Sequence, residues 1–275
     1  MISTTSSATT ANIAAPRQVS KWLKALFKQL VFISAVLVLW QLLSGPVIDP
    51  MFVSDPIAVM KQTVEWIQDG TLLHATWETL WVSMVSFALG TALGVLAGYC
   101  LASWDALGDL LRPTMTALYT LPKLVLAPLF ILWFGIGVEF RIVFATVIVF
   151  FFIYFNTYTG VKEVPEDLIK AVQLMGASRL QVALRVVTPS ALTWVATGLK
   201  ISLPYAFTGV IVAEMLAGGK GLGYLLRSSS DQFFAAGTFS SLLVILALAV
   251  LIDWLIGLLT ARTLSWKTAG QADQG

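Results

Sequence analysis

Six apolar segments of membrane-spanning length constrain this 275-residue chain more than any other feature of its sequence. A helix needs about 20 mostly apolar residues to cross the hydrocarbon core of a bilayer. The six segments lie at roughly 23–44, 76–102, 112–134, 140–161, 191–216 and 239–261. Because charged residues make up 12% of the chain, against about 25% in a soluble domain, lipid must cover most of the surface. The sequence therefore predicts an all-α membrane protein with about six transmembrane helices.

The basic residues fall mainly in alternate connecting segments. With the N-terminus on the cytoplasmic side, the cytoplasmic segments hold eleven Lys and Arg residues and the outer segments hold four. The cytoplasmic set is Arg17, Lys21, Lys24, Lys28, Arg112, Lys162, Lys170, Arg179, Arg185, Arg262 and Lys267, and the outer set is Lys61, Arg141, Lys220 and Arg227. Because cytoplasmic loops carry the excess of basic residues, both termini are predicted to be cytoplasmic.

The apolar segments belong to one predicted transmembrane domain, 21–265, which contains a cytoplasmic loop at 162–190. Residues 1–20 are rich in Ser, Thr and Ala and lack apolar periodicity, so they are predicted to be a disordered cytoplasmic tail. No basic stretch followed at once by an apolar run begins there, which argues against a signal peptide. Residues 266–275 are predicted to be a cytoplasmic C-terminal tail.

Prolines mark two local departures from straight transmembrane helices. In the third apolar segment Pro122 and Pro128 each lack a backbone donor, so a bend is predicted there. Between the first two segments, 56-PIAVMKQTVEWIQ-68 begins with a proline after Asp55 and is predicted to form an interfacial helix. Its apolar residues at helical spacing are Ile57, Met60, Val64 and Ile67.

One amphipathic stretch, 168-LIKAVQLMGASRLQVALRVVTP-189, interrupts the apolar pattern. A first helix is predicted at 166–175, because Glu166 and Asp167 lie near the positive end of its dipole. Its predicted apolar stripe consists of Leu168, Ile169, Val172 and Met175, with Lys170 and Gln173 pointing away.

A sharp reversal of the chain is predicted after that helix. Gly176 can adopt a left-handed conformation that would strain a residue with a side chain. Ser178 can cap a second helix at 179–187, which Thr188 and Pro189 are predicted to stop before the fifth span. Two interpretations remain open on these grounds. The apolar stripe rests on the transmembrane helices, or it fills a groove on a soluble partner.

The spacing of this stretch resembles the signature loop of the integral membrane subunits of binding-protein-dependent ABC importers. That loop reads Glu-Ala-Ala, three residues, Gly, nine residues, and then Ile, any residue, Leu-Pro. The matching positions are Lys170-Ala171-Val172 at the first triplet, Gly176 at the glycine, and Val186 and Thr188-Pro189 at the close. Lys170 stands where the family has glutamate, which is the sharpest departure from the motif.

The resemblance extends across roughly 70–260 and is to the nitrate/sulfonate/taurine branch of these permeases. The similar segments are 129-LFILWFGIG-137, 174-LMGASRLQVALRVVTPSAL-192, 208-TGVIVAEMLAGGKGLGYLL-226 and 242-LLVILALAVLIDWLIGLL-259. The resemblance implies a type I ABC importer permease fold in a bacterial cytoplasmic (inner) membrane. It also implies a homodimer of permeases, an external substrate-binding protein, and two cytoplasmic ATPase subunits that dock on the coupling helices.

The residues that the resemblance assigns to ATPase docking are Glu166, Asp167, Leu168, Lys170, Ala171, Val172, Met175, Gly176, Ala177, Ser178 and Arg179. No glycine-rich loop ending in Gly-Lys-Ser or Gly-Lys-Thr occurs in the sequence. ATP and Mg are therefore expected on the partner ATPase, and this chain is expected to be a transport subunit without a cofactor or an enzymatic activity of its own.

Residues within the apolar segments that are costly in lipid are candidates for function. The predicted candidates for the substrate pathway are Pro122, Lys123, Lys200, Pro204 and Glu214. Lys123 lines an anion pathway, extends its charge to the interface or serves a structural pair, and Lys200 either lines the pathway or extends to the interface. Glu214 either contacts the binding protein or pairs with Lys220 or Arg227.

Two further carboxylates, Glu78 and Asp253, are each expected to have a cross-helix partner. The glycine-rich segment 217-AGGKGLGYLLRSSSDQFF-234 is predicted to lie outside the membrane, with no strand before it. It therefore does not fit a nucleotide-binding loop and is interpreted as an outer gate or a surface for the binding protein.

Two other function classes fit the sequence less well. A secondary transporter would need inverted repeats or coupled carboxylates at the midplane, and neither is found. A membrane-embedded enzyme would have one histidine, His74, and one cysteine, Cys100, to work with. The net charge of +2 argues against a nucleic acid partner. The resemblance suggests a small, sulfonate-like anion as the substrate, and a neutral heterocycle or vitamin precursor remains the alternative.

Overall fold

The computed structural model describes residues 16–263, and the regular elements in that range are helical, which confirms the all-α prediction. The helices are α1 (Pro16–Leu43), α2 (Pro50–Val53), α3 (Pro56–Gln68), α4 (Thr71–Ser103), α5 (Asp105–Thr120), α6 (Ala127–Phe134), α7 (Val138–Lys162), α8 (Glu166–Leu174), α9 (Arg179–Val182), α10 (Thr188–Ala217), α11 (Leu222–Asp231) and α12 (Ala235–Thr263). A 3₁₀ turn precedes α6, and a π turn joins α9 to α10.

Four helical stretches of the described chain are long and apolar enough to span a membrane: α4, α7, the stretch from α9 through α10, and α12. The bent pair of α5 and α6 makes a fifth when it is counted as one span. α1 covers the first predicted segment, and its shorter apolar part is Phe27–Leu43. α1 begins inside the predicted N-terminal tail, whereas residues 1–15 and the predicted C-terminal tail lie outside the described residues.

The chain divides into two compact units between residues 58 and 59. In the first unit, the carbonyl oxygen of Ser54 accepts hydrogen bonds from Trp40 Nε1 at 3.2 Å and from Ser44 Oγ at 2.6 Å. These bonds close the turn that follows α1. Asp55 accepts a hydrogen bond from the first turn of α3 at 3.0 Å, so the predicted start of that helix is confirmed.

The core of the second unit is the close packing of α4 against α7. Gly90, Gly94 and Gly98 lie one turn apart on the face of α4 that meets α7. A Cβ atom added at Gly94 would lie 2.8 Å from Ile153 Cβ and 2.9 Å from a backbone carbonyl oxygen of α7. Small residues at this spacing let two membrane helices approach closely. Their contacts advance along α7 in the same order, so α4 and α7 run in the same direction.

α10 runs antiparallel to these two helices. Near its start, Trp194 lies against Gly160 of α7, and near its end Gly209 lies against Ile148. The three helices therefore share two ends. We call the end that carries α8 and α9 the hairpin end, and the end that carries the segment between α10 and α11 the loop end.

The predicted bend in the third apolar segment is confirmed, because α5 and the segment Lys123–Phe134 meet at 91°. At the hairpin end, Asp105 at the start of α5 forms an ion pair with Lys162. Farther along, Phe130 of α6 packs on Phe144 in the first half of α7, with ring centroids 6.4 Å apart. The bent pair therefore crosses from the hairpin end toward the loop end as one broken span.

The predicted stop at Thr188 and Pro189 is wrong, because the helix continues from Arg179 to Ala217 over 39 residues. The π turn Ala183–Val187 widens the backbone just before Pro189. The hydroxyl of Thr188 donates to the carbonyl oxygen of Ala183 at 2.9 Å. Such a widened turn accommodates a proline, which has no N–H to donate, without ending the helix.

Candidate functional site

Helices α8 and α9 form a hairpin whose apolar tip has no cover within the described residues. Gly176 has φ +89° and adopts the predicted left-handed conformation. Ser178 Oγ accepts a hydrogen bond from the Gln181 N–H at 3.3 Å, and the Gln181 side chain accepts one from the Ser178 N–H at 2.8 Å. This capping box confirms the predicted start of the second helix. At the turn, the side chains of Leu174 and Met175 are 89% and 87% exposed.

The predicted apolar stripe of α8 is divided between two environments. Ile169 and Val172 are half-buried, and Ile169 lines a cavity of about 350 Å³ together with the buried Val182 of α9. Leu168 and Met175 are exposed. The inner part of the stripe thus contacts the rest of the chain, while the tip does not.

The charges of α8 are exposed and partly compensate one another. Lys170, at the position of the family's glutamate, donates a hydrogen bond to Glu166 at 2.9 Å. That hydrogen bond and the charge of the ammonium group hold the pKa of Glu166 below its usual value. Asp167, Ala171 and Ser178 are also exposed, Ala177 is half-buried, and Arg179 borders the cavity under the hairpin. Most of the predicted docking residues are therefore accessible on the hairpin, whereas Val172 and Ala177 are half-buried.

The break between α5 and α6 presents an aromatic face, formed by Tyr119 of α5, Phe152 of α7 and Tyr205 of α10. The ring centroids of Tyr119 and Phe152 are 6.1 Å apart, and those of Phe152 and Tyr205 are 4.4 Å apart and stacked. Lys123 Nζ lies 4.7 Å from the centroid of the Tyr119 ring and donates to the carbonyl oxygen of Tyr119. The half-buried Lys123 thus makes a cation–π contact beside the break.

The other two candidates on this side are arranged around the aromatic face. Pro122 is exposed at the break, and Pro204 is half-buried inside α10, next to Tyr205. Lys200 is exposed one turn earlier on α10. The structure therefore places Pro122, Lys123 and Pro204 close to one aromatic face formed by three helices.

Residues 90–265 match the family described as the binding-protein-dependent transport system inner membrane component. The chain belongs to this family. It is 29% identical to the formylaminopyrimidine transport permease protein ThiX of Halalkalibacterium halodurans, covering 80% of this chain and 88% of that protein. It is 28% identical to the putative aliphatic sulfonates transport permease protein SsuC of Bacillus subtilis, covering 90% and 89%.

The fold of the permease is also found among solved structures. A chain of the MetNI methionine ABC transporter, solved in an inward-facing conformation, aligns with a TM-score of 0.61 and 23% identity. The alignment covers 71% of this chain and 97% of that chain. The predicted type I ABC importer permease fold is thereby confirmed, and the transport role follows from the family.

At the loop end, the permease buries one of the predicted pathway candidates. Glu214 is fully buried, with 0% exposure. Its carboxylate oxygens accept hydrogen bonds from Thr79 Oγ1 at 3.0 and 2.9 Å and from the Gly223 N–H at 2.9 Å. Arg141 NH1 lies 3.7 Å from Glu214 and donates to the Lys220 carbonyl oxygen at 3.2 Å. We call Thr79, Arg141, Glu214 and Gly223 the polar cluster.

The predicted partners of Glu214 were wrong, because Lys220 and Arg227 pair elsewhere. Lys220 lies 3.9 Å from Glu78, so the partner of Glu78 comes from the glycine-rich segment and not, as expected, from another helix. Arg227 pairs with Asp231 on its own helix at 2.7 Å. Asp253 is exposed on α12, and no ion pair within the described residues includes it. The enclosed Glu214 carboxylate binds the chain itself and is not open to a solute in this structure.

The glycine-rich segment at the loop end contains a helix that sequence reasoning missed. Gly218, Gly219 and Gly221 all have positive φ, and α11 begins directly after them. Thr79 and Arg141 were also missed as functional candidates. The signal available for Thr79 was a polar residue within an apolar segment, and Arg141 had been assigned to an outer loop.

Proposed function

We propose that this permease is one of two identical subunits of an importer, driven by a cytoplasmic ATPase dimer that docks on the α8–α9 hairpin. The observation that carries the proposal is the bare apolar tip of Leu174 and Met175, the two most exposed large apolar side chains of the hairpin. Exposed apolar side chains flanked by charges are typical of helix-in-groove docking. The hairpin then lies in the cytoplasm, both termini lie on the same side, and ATP and Mg are bound by the partner.

The charge distribution supports this orientation. Lys162, Lys170, Arg179 and Arg185 all belong to the hairpin end or the segment next to it. At the loop end, Lys220 and Arg227 are accessible and Arg141 is buried in the polar cluster. An excess of accessible basic residues marks the cytoplasmic side of bacterial membrane proteins. The loop end is accordingly the face on which an external binding protein docks.

The aromatic face is the best-supported part of the translocation pathway. Leu121 and Pro122 at the helix break are exposed on this chain. Irregular backbone at membrane depth is tolerated where it is covered by protein or lines a water-filled cavity, and not where it faces lipid. A second copy of the permease placed against this face would enclose the break and form a pathway between the two chains.

For the substrate, we propose a small anion such as a sulfonate, with Lys123 and Lys200 supplying positive charge along the pathway. The relative SsuC is named for aliphatic sulfonates and ThiX for formylaminopyrimidine. A neutral heterocycle remains the second candidate, because the aromatic face can stack on a planar ring.

The first test is co-purification from native membranes in mild detergent, followed by reconstitution of the recovered complex in liposomes. We expect a P-loop ATPase at one copy per permease, and ATP-dependent uptake of a sulfonate together with the binding protein. Uptake of a neutral ring compound with no response to any sulfonate or to nitrate would reject the anion and leave the permease role intact. A permease that transports alone, without an ATPase, would reject the docking role.

A further inference from the structure

We propose that Thr79 and Glu214 are positioning residues that fix the start of α11 to the long helix leading from the docking hairpin, so that movement of the hairpin reaches the outer face. This inference rests on the proposed docking function of the hairpin. It adds a mechanical link between the ATPase side and the side of the binding protein, carried by a named set of hydrogen bonds.

The first part of the link is one continuous helix. The stretch from Arg179 to Ala217 has 39 residues, which at 1.5 Å per residue makes a rod of about 58 Å. Its first residue belongs to the docking hairpin, and Glu214 lies in its last turn. The helix therefore joins the docking hairpin to the Glu214 carboxylate without a break, through the π turn Ala183–Val187 and past Pro204.

The second part is the attachment of α11 to that rod. The first N–H groups of a helix have no partner within the helix. In α11, the Leu222 N–H donates to Thr79 Oγ1 at 2.9 Å, and the Gly223 N–H donates to Glu214 at 2.9 Å. The carboxylate also lies at the positive end of the helix dipole. Glu214 and Thr79 thus supply the acceptors that the start of α11 needs.

The start of α11 packs so closely on Glu214 that positions 221 and 223 have no room for a side chain. A Cβ atom added at Gly221 would overlap the Glu214 carboxylate, and one added at Gly223 would lie 2.9 Å from Glu214 Cβ. Leu222 between them is fully buried. Solvent cannot enter and take over these hydrogen bonds, so the position of α11 depends on the two side chains.

Arg141 adds α7 to the same attachment. It is buried, and it reaches both Glu214 and the carbonyl oxygen of Lys220 in the glycine segment. A buried ion pair stabilises a fold no better than well-packed apolar residues of similar volume. The arrangement is therefore better explained by the geometry it imposes, since α4, α7, α10 and α11 are all joined at one point.

The test compares Thr79→Val with Thr79→Ser in the complete transporter, reconstituted with its ATPase and binding protein. Valine keeps the shape and removes the hydroxyl, whereas serine keeps the hydroxyl. We expect Thr79→Val to assemble and to keep its basal ATPase rate, while the stimulation of that rate by solute-loaded binding protein falls by about tenfold or more. The variant loses both the hydrogen bond to the charged Glu214 and the hydrogen bond from the Leu222 N–H. Thr79→Ser should retain the stimulation.

A purely structural role would lower the amount of assembled transporter and its basal ATPase rate together. It would leave the ratio of the stimulated rate to the basal rate unchanged. Thr91→Val, which removes from the same helix a buried hydroxyl that has no hydrogen-bond partner among the described residues, should leave the stimulation unchanged. Normal stimulation in Thr79→Val overturns the inference. If Thr79→Val does not assemble, Glu214→Gln takes its place, and normal stimulation in that variant likewise overturns it. Failure of the unaltered permease to bind an ATPase would instead reject the docking function.

Discussion

Replacing Leu174 and Met175 together by glutamate is expected to abolish ATPase docking while the permease remains folded. The two side chains are 89% and 87% exposed, so the fold gains almost nothing from them. Burial of such a side chain in a partner's groove contributes about 1.5–3 kcal/mol, and burial of an unpaired carboxylate is strongly unfavourable. Two substitutions should therefore weaken the affinity by more than about 100-fold. This loss can be measured as the affinity of the purified permease for its ATPase in detergent.

The matched control for the double glutamate variant is Gln173→Glu. It places a negative charge on the exposed residue next to the tip and leaves the apolar tip intact. An exposed charge change of this kind should alter the affinity by a factor of about five at most. The melting temperature of the permease alone should be the same in both variants. Equal affinity of the double variant and the control would refute the docking role of the tip.

The parts of this fold that could be predicted from the sequence are those fixed by local chemistry. Long apolar runs become membrane-spanning helices because the backbone must satisfy its own hydrogen bonds in lipid. Gly176 and Ser178 define the hairpin because one permits a left-handed residue and the other caps a helix. Pro122 produces the bend because it lacks an N–H. Each of these effects acts over a few residues of chain.

The parts that could not be predicted depend on which helices meet. Glu214 is close in sequence to Lys220 and Arg227, and those residues were the natural choices for its partner. Its actual partners, Thr79 and Arg141, are contributed by α4 and α7. Their proximity arises because α10 runs antiparallel to both helices and ends beside the third turn of α4 and the first turn of α7. A sequence alone carries no signal for that pairing.

Two errors at element boundaries have the same origin. Pro189 is a helix breaker in isolation, yet a π turn and the Thr188 hydroxyl carry the helix past it. The segment after Gly221 was interpreted as a loop, yet α11 forms there, because Glu214 and Thr79 accept hydrogen bonds from its first N–H groups. In both cases hydrogen bonds from neighbouring groups allow a helix where the local sequence favours a break or a loop. Those neighbours are known only once the three-dimensional structure is known.

Replacing Gly94 by leucine is expected to disrupt the packing of α4 on α7 and with it the permease fold. An added Cβ atom would meet Ile153 Cβ at 2.8 Å and a backbone carbonyl oxygen of α7 at 2.9 Å. The carbonyl belongs to a helix and cannot move aside as a flexible side chain does. Overpacking at a tight contact costs about 3 kcal/mol. We therefore expect a large fall in the melting temperature and in the yield of monodisperse permease in detergent.

Gly257→Leu in α12 is the matched control for that substitution, because it adds the same side chain to another apolar helix. A Cβ atom added at Gly257 has no neighbour within 4 Å among the described residues. Any general effect of exchanging glycine for leucine in a membrane helix, such as a higher helix propensity, is common to both variants. The difference in melting temperature between them therefore isolates the contact between α4 and α7. Equal stability of the two variants would show that the glycines at positions 90, 94 and 98 are not needed for that packing.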